Sequence, residues 1–194
     1  MTVPTGRRER KKAATRQKIA DTALRLFLER GYEAVGIREV AAEADVAVTT
    51  VFAHFAAKEA LVFERDGDFE QRLTEAVTGP AGREGLVPAL KAEILAQVRH
   101  CTAEGAAPIW QMIDGSPALR EYEASMRERH AESLAAAIAA GPGRDRSATA
   151  GRTLARFAVE AFALAREAAD PEDAVDEVFR MIEAAWEAAG PSGS

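Results

Sequence analysis

Apolar residues recur every three or four positions through most of the chain, and the first such stripe is the clearest. Residues 16–30 place Ile19, Ala23 and Phe27 on one face, which is the spacing of an amphipathic helix. Gly31 follows directly, where the end of a helix favours a residue that tolerates positive φ. The pattern therefore predicts a first helix over residues 16–30.

Two shorter apolar stripes follow, separated by a turn of about three residues. The stripes comprise Ile37, Val40, Ala41 and Ala44, and then Val48, Val51, Phe52 and Phe55. Ala41 is small, as a close helix crossing requires. Asp45 lies in the turn, where Gly is common, and Asp also visits the left-handed region at modest cost. Spacing alone leaves two interpretations open: a DNA-binding helix-turn-helix, or three amphipathic helices of an ordinary bundle.

The apolar pattern beyond residue 60 predicts five or six further helices. A connecting helix is expected from Lys58 to about Val77, followed by a Gly/Pro break at 78–82. Later helices are predicted over 86–102, 117–140, 146–168 and 171–189, with a short piece ending at Asp114. We predict an all-α protein of about nine helices, with an N-terminal three-helix helix-turn-helix domain over residues 16–60 and a helical C-terminal domain over residues 61–190.

Charge is distributed unevenly along the chain. Residues 1–60 carry 11 Lys or Arg against 8 Asp or Glu, and the rest carries 14 against 23, so the whole chain is acidic at −6. A net negative charge argues against indiscriminate coating of nucleic acid. We predict a disordered basic arm over residues 1–15, adjoining the helix at Arg16, with these basic residues: Arg7, Arg8, Arg10, Lys11, Lys12 and Arg16. Such an arm can contact DNA phosphates or the minor groove, or it can be only a solubilising terminus.

No pattern indicates an enzyme, a metal site or a cofactor. The three His residues form no metal-ligand pair at helical spacing, and His100 and Cys101 are adjacent, so on a helix they point about 100° apart. One Cys allows no intrachain disulfide, as is usual in a reducing cytoplasm. An apolar run of membrane-spanning length and a signal peptide are both absent from the sequence. We expect a cytoplasmic protein without catalytic residues, metal ligands, cofactor or membrane partner.

Residues 16–61 resemble the DNA-binding domain of the TetR family of transcriptional regulators. The features that carry the resemblance are Ala23, Leu26-Phe27, Gly31-Tyr32, Ile37, Val40-Ala41, Val46, Thr50-Val51-Phe52, His54-Phe55 and Lys58-Glu59-Ala60-Leu61. They agree in register without a gap over about the first third of the chain. The remainder is similar to the family only in length and helical content. The resemblance implies that the third helix enters the major groove of double-stranded DNA.

The resemblance also implies which side chains meet DNA. The residues expected at base edges, the sugar-phosphate wall or phosphates are Arg38, Val48, Thr49, Thr50, Phe52, Ala53, His54 and Lys58. Thr and Val suit thymine methyl groups, whereas His54 and Lys58 are expected at phosphates.

Four positions depart from the family pattern. Gly36 and Ala47 lack the capping hydroxyl usual there, Thr49 replaces a frequent Gly, and Phe52 replaces a frequent Tyr. The third helix therefore presents an apolar face with few hydrogen-bonding groups. We expect sequence readout to depend on methyl contacts and DNA shape more than on bidentate hydrogen bonds.

The C-terminal domain is expected to bind ligand and to dimerise. TetR-family proteins generally dimerise through their last two long helices, which implies an interface containing Phe162, Val175, Val178, Phe179, Ile182 and Trp186. These residues can instead close the core of the protomer. Candidate pocket residues are Cys101, Trp110, Met112, Tyr122, Met126, His130 and Phe157. Met beside aromatic rings suits an apolar ligand, although such a stripe is more often core.

The predicted function is a ligand-responsive transcriptional regulator. It most resembles a repressor that binds a palindromic operator as a homodimer and is released by a small apolar or amphipathic effector. The alternative is a helical ligand-binding protein of regulator ancestry that has lost sequence-specific DNA binding.

Overall fold

The computed structural model describes residues 6–64, 68–103, 105–141 and 145–190, and these ranges contain ten α-helices and no strand. The helices are α1 Arg7–Arg30, α2 Ile37–Glu43, α3 Val48–His54, α4 Phe69–Thr78, α5 Pro80–Glu84, α6 Leu86–Cys101, α7 Ala107–Gly115, α8 Pro117–Ala140, α9 Ala148–Glu167 and α10 Pro171–Ala189. A 3-10 turn, Glu59–Leu61, lies between α3 and α4. The all-α prediction is confirmed.

The chain forms two compact units. The first comprises Met1–Asp66 and Pro108–Tyr122, and the second comprises Gly67–Ala107 and Glu123–Ser194. The first unit thus contains the predicted helix-turn-helix domain together with nearly all of α7 and the first turns of α8. None of the helices in the described ranges is long and apolar enough to span a bilayer.

Helix α1 begins at Arg7, so the prediction of a disordered arm is wrong for residues 7–15, and residues 1–5 of that arm lie outside the described residues. The Gly6 amide donates a hydrogen bond to the Glu9 carboxylate at 3.1 Å, which satisfies one of the free amides at the helix start. Ala, Arg and Lys all have high helix propensity, and an acid in the first turn favours the helix dipole. These local preferences extend the helix toward the N-terminus.

Helices α2 and α3 form the predicted helix-turn-helix. Asp45 takes φ 51° in the turn between them, and the Val46 amide donates to the Ala41 carbonyl at 2.9 Å. Val40, Ala41 and Val51 are fully buried and hold the two helices on α1. Asp45 therefore occupies the left-handed conformation that its position predicted.

The predicted connecting helix from Lys58 to Val77 is not continuous. Among the described residues, the 3-10 turn at 59–61 is followed by non-helical backbone at Val62 and Phe63, and α4 begins at Phe69. Leu61, Val62 and Phe63 are all buried, whereas consecutive residues of an α-helix point about 100° apart. Burial of three side chains in a row favours an irregular backbone there.

The core of the second unit is formed by α4, α6, α8, α9 and α10. Val175, Phe179 and Ile182 lie in it at 0%, 1% and 3% exposure, so their assignment to a dimer interface is wrong. Phe162, Val178 and Trp186 are half-buried and pack against the same core. On the inner side of α10 the alternative interpretation holds, and these residues form part of the core of the protomer. Their apolar side chains are buried by the same chain, so their burial requires no partner.

Two ion pairs and one N-cap stabilise the packing of α6 and α10. Lys91 and Arg99 of α6 pair with Asp176 and Glu172 of α10 at 3.0 and 2.5 Å. The Asp170 carboxylate accepts a hydrogen bond from the Asp173 amide at 3.1 Å and so caps α10, whose first residue is Pro171. Apolar burial and polar contacts therefore both hold the long helices of the second unit together.

Candidate DNA-reading surface and ligand domain

Helix α3 is anchored on one side and open on the other. Val51 is fully buried, whereas Thr49, Ala53 and Phe52 are exposed, Phe52 at 55%. Val48, Thr50 and His54 are half-buried, and Arg38 is exposed at the start of α2. The structure thus places most of the predicted DNA-reading side chains on the accessible part of one helix. Their contacts with DNA remain a prediction.

The N-termini of α2 and α3 match what the sequence implied. Gly36 and Ala47 occupy the N-cap positions, and neither helix has a side-chain cap. A missing Ser or Thr cap costs a helix roughly 0.5–2 kcal/mol. Both helices have seven residues, so they depend on tertiary contacts.

Lys58, predicted to contact a phosphate, is held within the protein here. Its ammonium donates to the Tyr32 carbonyl at 2.5 Å and lies 4.0 Å from the centroid of the Tyr32 ring. The Tyr32 hydroxyl donates to Glu59 at 2.9 Å. Burial, and then the contact with Glu59, raises the pKa of Tyr32 above its ordinary value. This cluster fastens the end of α1 to the turn after α3.

Five of the six basic residues of the predicted arm are exposed to solvent. Arg7, Arg8, Arg10, Lys11 and Lys12 are exposed on the first turns of α1. Because these residues lie on a helix, their side chains point in different directions around the helix axis, which the side chains of a flexible arm would not be held to do. They remain available to phosphates.

Arg16 differs from the other basic residues of the predicted arm, because its guanidinium is engaged on three sides. It pairs through two nitrogens with the Glu64 carboxylate, with Nε to Oε1 at 2.6 Å. Its third nitrogen donates to the His54 carbonyl at the end of α3. The guanidinium carbon lies 4.4 Å from the centroid of the Phe55 ring. The assignment of Arg16 to a free DNA-binding arm is therefore wrong for this structure.

Sequence reasoning missed Glu64, and no local signal identifies it. It lies 48 residues from Arg16, and a charge at that separation has no preferred partner in the sequence.

The candidate pocket residues fall in both units. Trp110, Met112 and Tyr122 belong to the first, and Tyr122 stacks on Phe63 with the ring centroids 5.6 Å apart. Cys101, Met126, His130 and Phe157 belong to the second.

Within the second unit, three of the candidate residues are at least partly enclosed and one is not. Cys101 and His130 are buried and Met126 is half-buried, whereas Phe157 is 52% exposed on the outer face of α9. The structure therefore does not group Phe157 with the buried pocket candidates.

Sequence reasoning also missed several polar groups buried in the second unit. Glu123 is 7% exposed, and its Oε1 lies 3.8 Å from Arg166 and 3.9 Å from Arg127. Gln97, 1% exposed, accepts a hydrogen bond from Arg72. The sequence does offer a signal for such groups, namely a polar residue at a position that helical spacing places among buried apolar residues. Buried polar groups of this kind give a helical domain places to recognise the polar part of a ligand.

His130 lies among these groups. Burial lowers the pKa of His130, and Arg129 lowers it further, whereas Glu70, 3.9 Å away, opposes both. At 3.9 Å this His–Glu contact is too long for a hydrogen bond, so burial dominates. His130 also meets the Phe69 ring edge-on, at 5.7 Å between centroids.

An apolar face remains exposed on α9 and α10. Phe157, Leu164 and Met181 are 52%, 49% and 60% exposed. A groove of about 140 Å³ is lined by residues of both helices, among them Phe157 and Trp186. Large exposed apolar groups that lie together are typical of protein interfaces.

Comparison with known proteins agrees with this architecture. Residues 19–64 match the family model described as "Bacterial regulatory proteins, tetR family". The chain is 30% identical over 149 residues to the HTH-type transcriptional regulator TcmR of Streptomyces glaucescens. That alignment covers 72% of this chain and 66% of TcmR, so it spans just under two thirds of that relative.

Solved structures show the same fold over nearly the whole chain. A TetR-family regulator from Streptomyces coelicolor A3 superposes with a TM-score of 0.62 at 21% identity, covering 89% of this chain and 94% of that one. The TetR family repressor AlkX from Dietzia sp. strain DQ12-45-1b gives 0.61 at 18% identity, covering 89% and 97%. The helix-turn-helix, the match to the family model and the similarity to TcmR lead to one conclusion: this chain belongs to the TetR family of bacterial transcriptional regulators.

Proposed function

We propose that this protein represses transcription by binding a palindromic operator as a homodimer, and that a small apolar or amphipathic effector releases it. The observation that carries the proposal is the open face of α3, where Thr49, Phe52 and Ala53 are exposed around the buried anchor Val51. A short helix held in this way fits the major groove, whose width admits one α-helix.

Readout by this helix rests on few hydrogen-bonding groups. Thr49 and Thr50 supply hydroxyl and methyl groups, whereas Val48 and Phe52 offer only apolar contact. Arg38 supplies a long cationic side chain beside them. We propose that thymine methyl contacts and DNA shape carry much of the specificity, and that phosphate contacts supply affinity.

A second copy of the chain is proposed to cover the exposed face of α9 and α10. Phe157, Leu164 and Met181 are its most exposed residues, and Trp186, which lines the groove with Phe157, is half-buried, as is Val178 of α10. Val175, Phe179 and Ile182 are excluded from this interface because the protomer buries them itself. Two such faces related by a two-fold axis would give one reading helix per half-site.

The second unit is the proposed effector-binding domain. Its described interior combines apolar helices with buried polar groups, among them Glu123, Gln97 and His130. Polar groups of this kind can fix the orientation of a ligand whose remaining surface is apolar. The effector would act by binding more tightly to the conformation that does not fit DNA.

Selection of random duplex DNA against the purified protein tests the proposal. Retained sequences are expected to share a palindrome whose half-sites are about 34–36 Å apart, one helical turn. Replacing Arg38 by Ala should weaken binding and reduce the salt slope by about one. Glu29→Ala, an exposed change on α1, is the matched control.

Retention without any shared sequence, lost steeply with salt, would refute specific regulation. Such an outcome would favour the alternative, a helical ligand-binding protein of regulator ancestry. The observation that favours this alternative is that neither α2 nor α3 has a side-chain cap, which lowers the stability of the two helices.

A further inference from the structure

The C-terminal end of α3 is held by the side chain of a residue in α1. Arg16 of α1 donates to the His54 carbonyl, the last residue of α3, while its other two nitrogens pair with Glu64. The side chains of Arg16 and Glu64 are 38% and 15% exposed. One guanidinium therefore joins α1, the end of α3 and the segment after the 3-10 turn.

The guanidinium of Arg16 is already engaged by partners inside the protein. The Glu64 carboxylate already neutralises its charge, and three of its nitrogens already donate. Its flat face lies against Phe55, and a guanidinium stacked in this way is oriented as well as bound. A phosphate would have to compete for this guanidinium with a bidentate, half-buried pair, which is among the stronger polar contacts in proteins.

We propose that Arg16 is a positioning residue, which sets the C-terminal end of α3 through its pair with Glu64 rather than by touching DNA. The proposal rests on the DNA-binding function proposed above and concerns one fixed point of the same surface.

Helix α3 needs such a fixed point. Its seven residues are rich in Val, Thr and Phe, which have low helix propensity, and Ala47 provides no side-chain cap. Val51 anchors the middle of the helix in the core. The contact between Arg16 and the His54 carbonyl anchors its end, where free carbonyl groups favour a cation. Small displacements of a recognition element degrade its function.

Two substitutions separate positioning from phosphate contact. Arg16→Lys keeps the charge but loses the fork that meets Glu64 and His54 together. A phosphate contact would tolerate it, whereas a positioning role would not. Glu64→Gln has opposite consequences in the two cases. If Arg16 meets phosphate, removing the competing carboxylate tightens DNA binding; if Arg16 positions α3, binding weakens.

The first assay uses the duplex retained in the selection experiment. Positioning predicts about tenfold weaker binding for both variants, with the salt slope of Arg16→Lys unchanged because no phosphate contact is lost. Lys18→Ala, an exposed position on the same helix, is the control for a general charge effect and should change the affinity far less than Arg16→Lys. Native affinity for Arg16→Lys, or tighter binding by Glu64→Gln, would overturn the proposal.

A second assay requires no DNA. The Phe55 amide donates to the Val51 carbonyl at 2.9 Å and closes the last turn of α3. Its hydrogen exchange should be faster in Arg16→Lys and in Glu64→Gln, and unchanged in Lys18→Ala. Unchanged exchange in the first two variants would refute the proposal. If selection retains no shared sequence, the proposed function fails, while the exchange rates still decide the role of Arg16.

Discussion

Replacing Phe179 by Ala tests whether the inner side of α10 belongs to the core of the protomer or to a partner. Phe179 is 1% exposed, and Met181, two residues further on, is 60% exposed. The two positions share a helix but face different surroundings. A pair of matched truncations, Phe179→Ala and Met181→Ala, therefore separates folding from association.

The expected magnitude for Phe179→Ala follows from its burial. Removing a buried Phe side chain costs about 3–5 kcal/mol, since both the transfer free energy and the packing of its neighbours are lost. A chain of this size loses roughly 2–4 °C in its unfolding midpoint for each kcal/mol, so a fall of about 6–20 °C is expected. Met181→Ala should change the unfolding free energy of an isolated protomer by only about 0.5 kcal/mol.

Thermal unfolding and sedimentation at several protein concentrations measure the two effects. Phe179→Ala should lower the midpoint by a similar amount at every concentration. Met181→Ala should shift the protomer–dimer equilibrium toward protomer and lower the midpoint mainly where the native protein is dimeric. The reasoning is refuted if Phe179→Ala weakens association while the unfolding of the protomer stays unchanged.

Three further predictions each depend on one structural feature: the burial of His130, the backbone angle of Asp45 and the cap formed by Asp170. Burial lowers the pKa of His130, so the unfolded chain binds the proton more readily, and stability should fall as the pH drops through about 6.5; His130→Gln should flatten that fall in denaturant unfolding at several pH values. Asp45→Val should cost about 1–2 kcal/mol in the same assay because φ is 51°, and a native midpoint would contradict this. Asp170→Ala removes the cap of α10 and should cost about 1 kcal/mol, with exposed Glu167→Ala as its control.

Local pattern was sufficient to predict several elements of the fold. The predicted ends of α8 and α10 coincide with Pro117–Ala140 and Pro171–Ala189. Pro begins each of these helices, and Asp170 caps α10, so their starts depend on residues within one turn. The turn at Asp45 was predictable for the same reason, because its conformation is a property of one residue and its neighbours.

Spacing was ambiguous where an apolar stripe had two possible partners. On α10 it predicted an apolar stripe, but the division of that stripe between core and exposed face depends on what packs against the helix. The structure assigns Val175 and Phe179 to the protomer core and leaves Met181 outside. No periodicity within α10 distinguishes a neighbouring helix of the same chain from one of a second copy.

The sequence by itself determined the segments of the helix-turn-helix, several helix boundaries and the exposed side of α3, because helix propensity, capping and 3.6-residue periodicity act over a few positions. Only the tertiary structure decided the role of Arg16, which the sequence grouped with a basic arm. Its partner Glu64 lies 48 residues away, and the strength of their pair depends on burial and on the His54 carbonyl nearby. Electrostatic contacts depend on distance in space and on desolvation, and neither is determined by distance along the chain.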